Sequence, residues 1–370
     1  MEFIDQLSGA CWKNATDEMK QALFEQVLAY HVKPELEVTN IQLKEFELFG
    51  IKNRSFEFML ANETFVFIPG QREVILGWEI GSEGLPTHEL LGKPEQKENV
   101  SFWANFDESM HSYAQEFMEE QEEFDLETME GIDAYINLHT TSLRKVDIPP
   151  MIVGKYALPA STNFIGRLDM ITGEFEGETD LFGPFEKKIR QLLFPDLSLQ
   201  ESLVWSAPER FLEMNEFYLE YVENLDYYRV FLHQQLTLEE NYARIHQWGF
   251  ELLDENQWEY VVGAGTRRLF RWGNELNIED NPLSEQPNPA RKRALGENMF
   301  GAVIDTTRTR FEITNEEQIL KLGLVPQAGT LIENVLPLSS YYQSYVRIMK
   351  NEILSPLKYL YRKALIIRNN

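Results

Sequence analysis

The 370-residue sequence predicts an α+β fold, and three observations carry that expectation. An amphipathic helix near the start, with Met19, Leu23 and Val27 at four-residue spacing, gives way to alternating apolar stretches that read as a β-meander. A helix opening at Asp254 lies between two extended pieces, one ending at Leu253 and one closing on Trp272-Gly273-Asn274. Proline and glycine punctuate the apolar runs, as in Ile68-Pro69-Gly70, so strands are short and turns frequent.

In chain order, the first helix covers about residues 14–30 and stops at Pro34. Ile41, Leu43, Phe46 and Leu48 then alternate, a turn is expected at Lys52-Asn53, and Phe56–Leu60 follows as a strand. Thr64–Ile68 and Val74–Trp78 read as a strand pair turned by Pro69-Gly70. Residues 109–129 are dense in Glu and Asp, with Tyr113, Phe117, Met118 and Phe124 at helical spacings. They suit a solvated helix with one apolar face, or an acidic docking surface for a basic partner. Val146–Tyr156 reads as a strand, and Pro208 as the first turn of a helix through Leu212. Phe217, Tyr218, Tyr221, Tyr227 and Tyr228 then offer packing or partner contacts. Thr237 and Glu240 form a capping box, and Asp254 caps the next helix, which places Trp258, Val261 and Val262 on one face. Tyr361–Arg368 reads as the last strand.

With 43% hydrophobic residues there is ample material for a packed core. A net charge of −26 opposes binding to nucleic acid or to an anionic membrane surface, because both repel it at long range. No apolar run reaches the ~18–20 residues needed to span a bilayer, and the acidic Met1–Asp5 start is unlike a leader. A single cysteine, Cys11, allows neither an internal disulfide nor an all-cysteine zinc site. A cytoplasmic, bacterial protein is the default expectation.

The stretch Gly249-Phe250, Leu252, Glu255, Trp258-Glu259-Tyr260, Ala264-Gly265-Thr266 and Trp272-Gly273-Asn274 resembles the signature of the formylglycine-generating-enzyme, or sulfatase-modifying-factor, family. It departs from the pattern at Glu251-Leu252-Leu253-Asp254, where the family has Arg-Leu-Pro-Thr. Thr64–Gly70, Val146–Tyr156, Asn298–Gly301 and Phe311-Glu312-Ile313 resemble further elements of it. The resemblance implies a C-type-lectin-like core over 62–370, with insertions at about 81–141 and 166–236, and a small N-terminal α/β extension over 1–61. Trp258, Glu259, Tyr260 and Gly273 would be its structural motif.

Enzymes of that family oxidise a substrate cysteine through a copper-binding cysteine pair near the C-terminus. Thiolates suit copper(I), but this sequence has no cysteine after Cys11, so that centre cannot exist here in its known form. A second branch, the sulfoxide synthases, binds iron through three histidines. His31, His88, His111, His139, His233 and His246 include no i, i+4 pair to suggest such a site. The family's structural calcium sites make Asn298 and Asp305 candidate oxygen ligands, the one cofactor the resemblance implies.

Arg267, Arg268 and Arg271, then Arg291-Lys292-Arg293, then Arg308 and Arg310 follow the central helix. Converging, they would form a basic patch able to hold a carboxylate, a phosphate or an acidic segment; dispersed, they would pair with the many acids. Arg267, Arg268, Arg271, Trp272, Asn274, Arg308 and Arg310 are the candidate ligand-binding residues. The leading expectation is a non-catalytic, lectin-like scaffold presenting loops to a protein or small ligand. The alternatives are a metal-dependent oxidoreductase with a non-cysteine site, and a structural subunit of a homo-oligomer.

Overall fold

The computed structural model describes residues 3–48, 50–86, 90–91, 124–198, 200, 204–222, 225–274, 295–305, 309–316, 319–323, 330–344 and 346–368. Its class is α+β, with strands paired almost throughout in antiparallel fashion.

The central layer is a six-stranded sheet in the order β1 (Val38–Leu48), β2 (Ile51–Leu60), β3 (Glu63–Ile68), β6 (Met151–Gly154), β17 (Lys363–Ile366) and β13 (Glu251–Leu252). Its inner strands are apolar on both faces, and alternation divides them cleanly. Phe65, Phe67, Ile152 and Leu365 point to one core; Val66, Ile68, Met151, Val153, Ala364 and Ile366 point to the other. On the first side lie α2 (Gly9–Asn14) and α3 (Asp17–His31), with Phe24 stacked on Phe56 at 4.2 Å between centroids. Thr16 caps α3 by accepting the Met19 N–H.

On the second side lies the central helix, here Glu255–Gly263. Asp254 accepts the Gln257 N–H at 2.8 Å, and the Gln257 side chain returns the bond to the Asp254 N–H at 3.0 Å. This is a reciprocal capping box, one partner more than the cap read from the sequence. Ala264 ends the helix in the left-handed region, and Trp258, Val261 and Val262 are buried against the sheet.

A second sheet, entirely antiparallel, runs β10 (Arg210–Glu213), β11 (Phe217–Val222), β12 (Tyr227–His233), β8 (Thr162–Asp169) and β9 (Phe175–Gly177). One face packs under the helix Thr179–Leu193 through Phe182, Ile189, Leu193, Phe217, Leu219 and Val230. The other face joins the first core through Tyr218 and Phe231. A four-stranded sheet, β15 (Leu320–Leu322), β14 (Phe311–Ile313), β16 (Tyr359–Tyr361) and β7 (Leu158–Pro159), contains the one parallel pair among the described strands, β14 with β16. The helix Met129–Leu138 and the loop through Leu269–Trp272 build a satellite core.

Several expectations are corrected. Lys52 and Asn53 lie inside β2, paired with Glu47 and Phe46; the turn comes just before it, at Gly50, whose φ of 75° suits glycine. β3 and β4 (Gln71–Leu76) do not pair with each other: β3 joins β2 and β6, and β4 joins β5 (Arg144–Ile148). Pro149-Pro150 breaks the strand expected over Val146–Tyr156 into β5 and β6, because proline cannot donate to a ladder. Pro208 opens no helix; Arg210–Glu213 is a strand whose register pairs Phe211 with Leu219 and Leu212 with Tyr218. The terminal run divides at Arg362 into β16 and β17, which belong to different sheets. β1 and β2 continue the same sheet as β3, so pairing is unbroken across residue 61. Most of the acidic stretch 109–129 lies outside the described residues.

Candidate functional site

Arg362, at the junction of β16 and β17, ties three segments together. Its Nε donates to Glu312 Oε1 at 2.9 Å, Nη1 to the carbonyls of Gly154 and Lys155 at 2.9 Å each, and Nη2 to the Val303 carbonyl at 3.0 Å. Arg362 and Glu312 are both fully buried, so the pair holds only because each charge is met by the other and by backbone.

A second buried network gathers on the central helix. Glu259 accepts the Thr141 hydroxyl at 2.8 Å and lies 3.0 Å from Arg144 Nη2 and 3.2 Å from Lys321 Nζ. Lys321, with no side-chain exposure, also donates to Glu255 at 2.7 Å and to the Tyr342 carbonyl at 3.2 Å. The glutamate of Trp258-Glu259-Tyr260 thus fastens the helix to neighbouring segments. Tyr260 donates its hydroxyl to the Pro69 carbonyl, and burial pushes its ionisation up.

The third network joins the second sheet to the core. Glu220 stands directly across the ladder from Arg210 on one side and Arg229 on the other. Arg310 reaches it from the core at 2.7 Å, while Arg210 and Arg229 approach to 3.7 and 3.6 Å. Arg310 also donates through Nε and Nη2 to Asp305 Oδ2. Burial would raise the Glu220 carboxyl, but Arg310, Arg229 and Arg210 outweigh it and hold it below the ordinary value. Arg271 is buried nearby; burial pushes its guanidinium down to about 10, opposed by Asp305.

The candidate ligand-binding residues therefore separate. Arg310 and Arg271 meet around Asp305 in the interior, and Trp272 is fully buried, stacked on Phe270 at 4.7 Å. None of the three is a surface contact: each fills or crosslinks a core. Asn274 turns inward to accept the Leu269 N–H at 3.0 Å, and Gly273 has a φ of 110° that favours glycine. Arg268 is half-buried, and Arg267 is exposed at the tip of this loop. Arg308 and Arg291-Lys292-Arg293 lie outside the described residues.

The loop carrying Arg267 is held from behind. Thr266 donates its hydroxyl to the Gly263 carbonyl at 2.7 Å, Tyr341 donates to the Thr266 carbonyl at 3.0 Å, and Ser339 donates to the Leu269 carbonyl at 2.8 Å. The two calcium candidates, Asn298 and Asp305, both meet protein groups. Asn298 uses both ends of its amide on backbone: its Oδ1 accepts from Phe300 and Ala302, and its Nδ2 donates to Val261 and Val262. Asp305 faces arginine. Among the described residues no three His, Cys, Asp or Glu side chains gather in a metal-ligating group, and no helix is long and apolar enough to cross a membrane.

The row Arg210–Glu220–Arg229 was missed in sequence. Its signal was there: in Phe217-Tyr218-Leu219-Glu220-Tyr221 a lone carboxylate shares the core-facing phase with Tyr218. Reading Arg210 as helical hid the partner strand.

Residues 163–232, from β8 to β12 and including the helix between them, match a family model described as a profilin-like domain of unknown function (DUF7278). The match covers the helix Thr179–Leu193 and all of the second sheet except Thr162 and His233. No curated protein and no solved structure matches the chain.

Proposed function

We propose that the chain is a non-catalytic relative of the formylglycine-generating enzymes, a scaffold that presents a rigid loop to a protein or small anionic ligand. The observation that carries this reading is the contrast along one loop. Arg271 and Trp272 are buried and fixed, the backbone is tied to Gly263, Ser339 and Tyr341, and Arg267 alone of the loop's three arginines stands exposed. A preorganised loop binds without the ordering cost of a flexible one. Buried charged groups support the same reading, since Glu259 of the signature, Glu312 of β14 and Arg362 are all engaged by other protein groups. In this sequence the absence of any cysteine beyond Cys11 removes the family's copper chemistry.

The test is native mass spectrometry of untagged protein purified at low salt. A bound acidic ligand or partner is expected on the wild type and lost from Arg267→Ala, with melting unchanged. A bound species retained equally by Arg267→Ala would overturn the assignment of the loop.

A further inference from the structure

We propose that the polar belt between the second sheet and the core is a binding site for a small oxyanion, held by Arg310 and Tyr218. The belt is separate from the Arg267 loop and stands whether or not that loop binds. Two groups there lack a hydrogen-bond partner although both are buried: Nη1 of Arg310, a residue 6% exposed, and the hydroxyl of Tyr218, 0% exposed. They belong to one neighbourhood: Tyr218 stands two residues from Glu220 on the same face of β11, and Arg310 Nη2 lies 2.7 Å from the Glu220 carboxylate. Buried donors left unmet are costly, so two in one place call for an acceptor.

The charge balance selects the acceptor. Among the described residues, Arg210, Arg229 and Arg310 are three guanidinium groups set against two carboxylates, Glu220 and Asp305. A water molecule would satisfy the two donors and leave the excess positive charge; a phosphate or carboxylate group satisfies both. The Nε and Nη2 edges of Arg310 are already used on Asp305 and Glu220, leaving Nη1 for an added anion. Burial also raises the ionisation of Tyr218, which keeps its hydroxyl protonated as a donor.

The probes are inorganic phosphate and acetate, titrated calorimetrically into the full chain at constant ionic strength. Saturable binding near one anion per chain is expected. It should weaken about tenfold or more in Tyr218→Phe, as loss of one hydrogen bond to a charged group implies. Phosphate binding alone would place a phosphoryl group in the belt, and acetate binding of equal strength a carboxylate; either supports the site. Absence of saturable binding by both probes means water only and overturns it. So does equal binding by Tyr218→Phe, which loses only a partnerless hydroxyl and is expected to fold; its melting curve checks this.

Discussion

Arg310 crosses from the core to Glu220 of the second sheet, with 2.7 Å between Nη2 and Oε1, and the same Nη2 holds Asp305. Arg310, whose sequence context suggested an exposed cation, is a buried crosslink. Replacing Arg310 with methionine leaves two buried carboxylates facing less positive charge. The expected loss is roughly 3–5 kcal/mol, read from chemical denaturation, with Arg310→Lys intermediate because lysine cannot bridge two carboxylates with a planar fork. A loss below about 1 kcal/mol would make the contact peripheral.

Acid should act on the same contact. The folded Glu220 carboxyl titrates below its ordinary value of 4.5. Its stabilising contribution is therefore complete above that value and is lost as the pH falls through the lower folded value. Melting temperature measured from pH 5 downward should fall more gently in Glu220→Gln than in the wild type. Parallel curves would contradict the assignment.

His139 gives a second window at higher pH. It is buried beside Tyr135, 4.3 Å between ring centroids, and burial pushes its imidazole down from 6.5 to about 4. The neutral form is favoured on folding, so stability is full above 6.5 and declines as the pH falls from there to about 4. The total is up to roughly 3 kcal/mol. His139→Gln should flatten the curve between those limits, and titration of the His139 ring by NMR would give the folded value directly.

The central helix was legible because its cues are local. Asp254, Gln257 and the glycine turn act within a few residues, and so does the Thr237–Glu240 box. Asp254→Ala should accordingly cost about 1 kcal/mol in chemical denaturation. Strand partners were less legible, since pairing is set by distant residues: β3 meets β6 across more than eighty positions, and Arg362 meets Glu312 only because β16 pairs with β14. The same reason separates the arginines. Sequence places Arg267, Arg271 and Arg310 after one helix, but Arg310 meets a buried acid only because β11 sets Glu220 toward the core, while Arg267 stays at the exposed tip of its loop.

Trp272 tests the satellite core. It is fully buried with Leu269, Phe270, Ile136 and Tyr341, so Trp272→Ala should cost roughly 3–5 kcal/mol. Arg267→Ala, on the exposed tip of the same loop, should change stability by less than about 0.5 kcal/mol. Denaturation curves for the two variants separate the frame of the loop from its presented residue.

The non-catalytic reading is tested most directly by elemental analysis of untagged protein purified without chelators. The account predicts copper, iron and zinc well below one per chain. A value near one for any of them would contradict it and direct attention to the histidines and carboxylates as ligands.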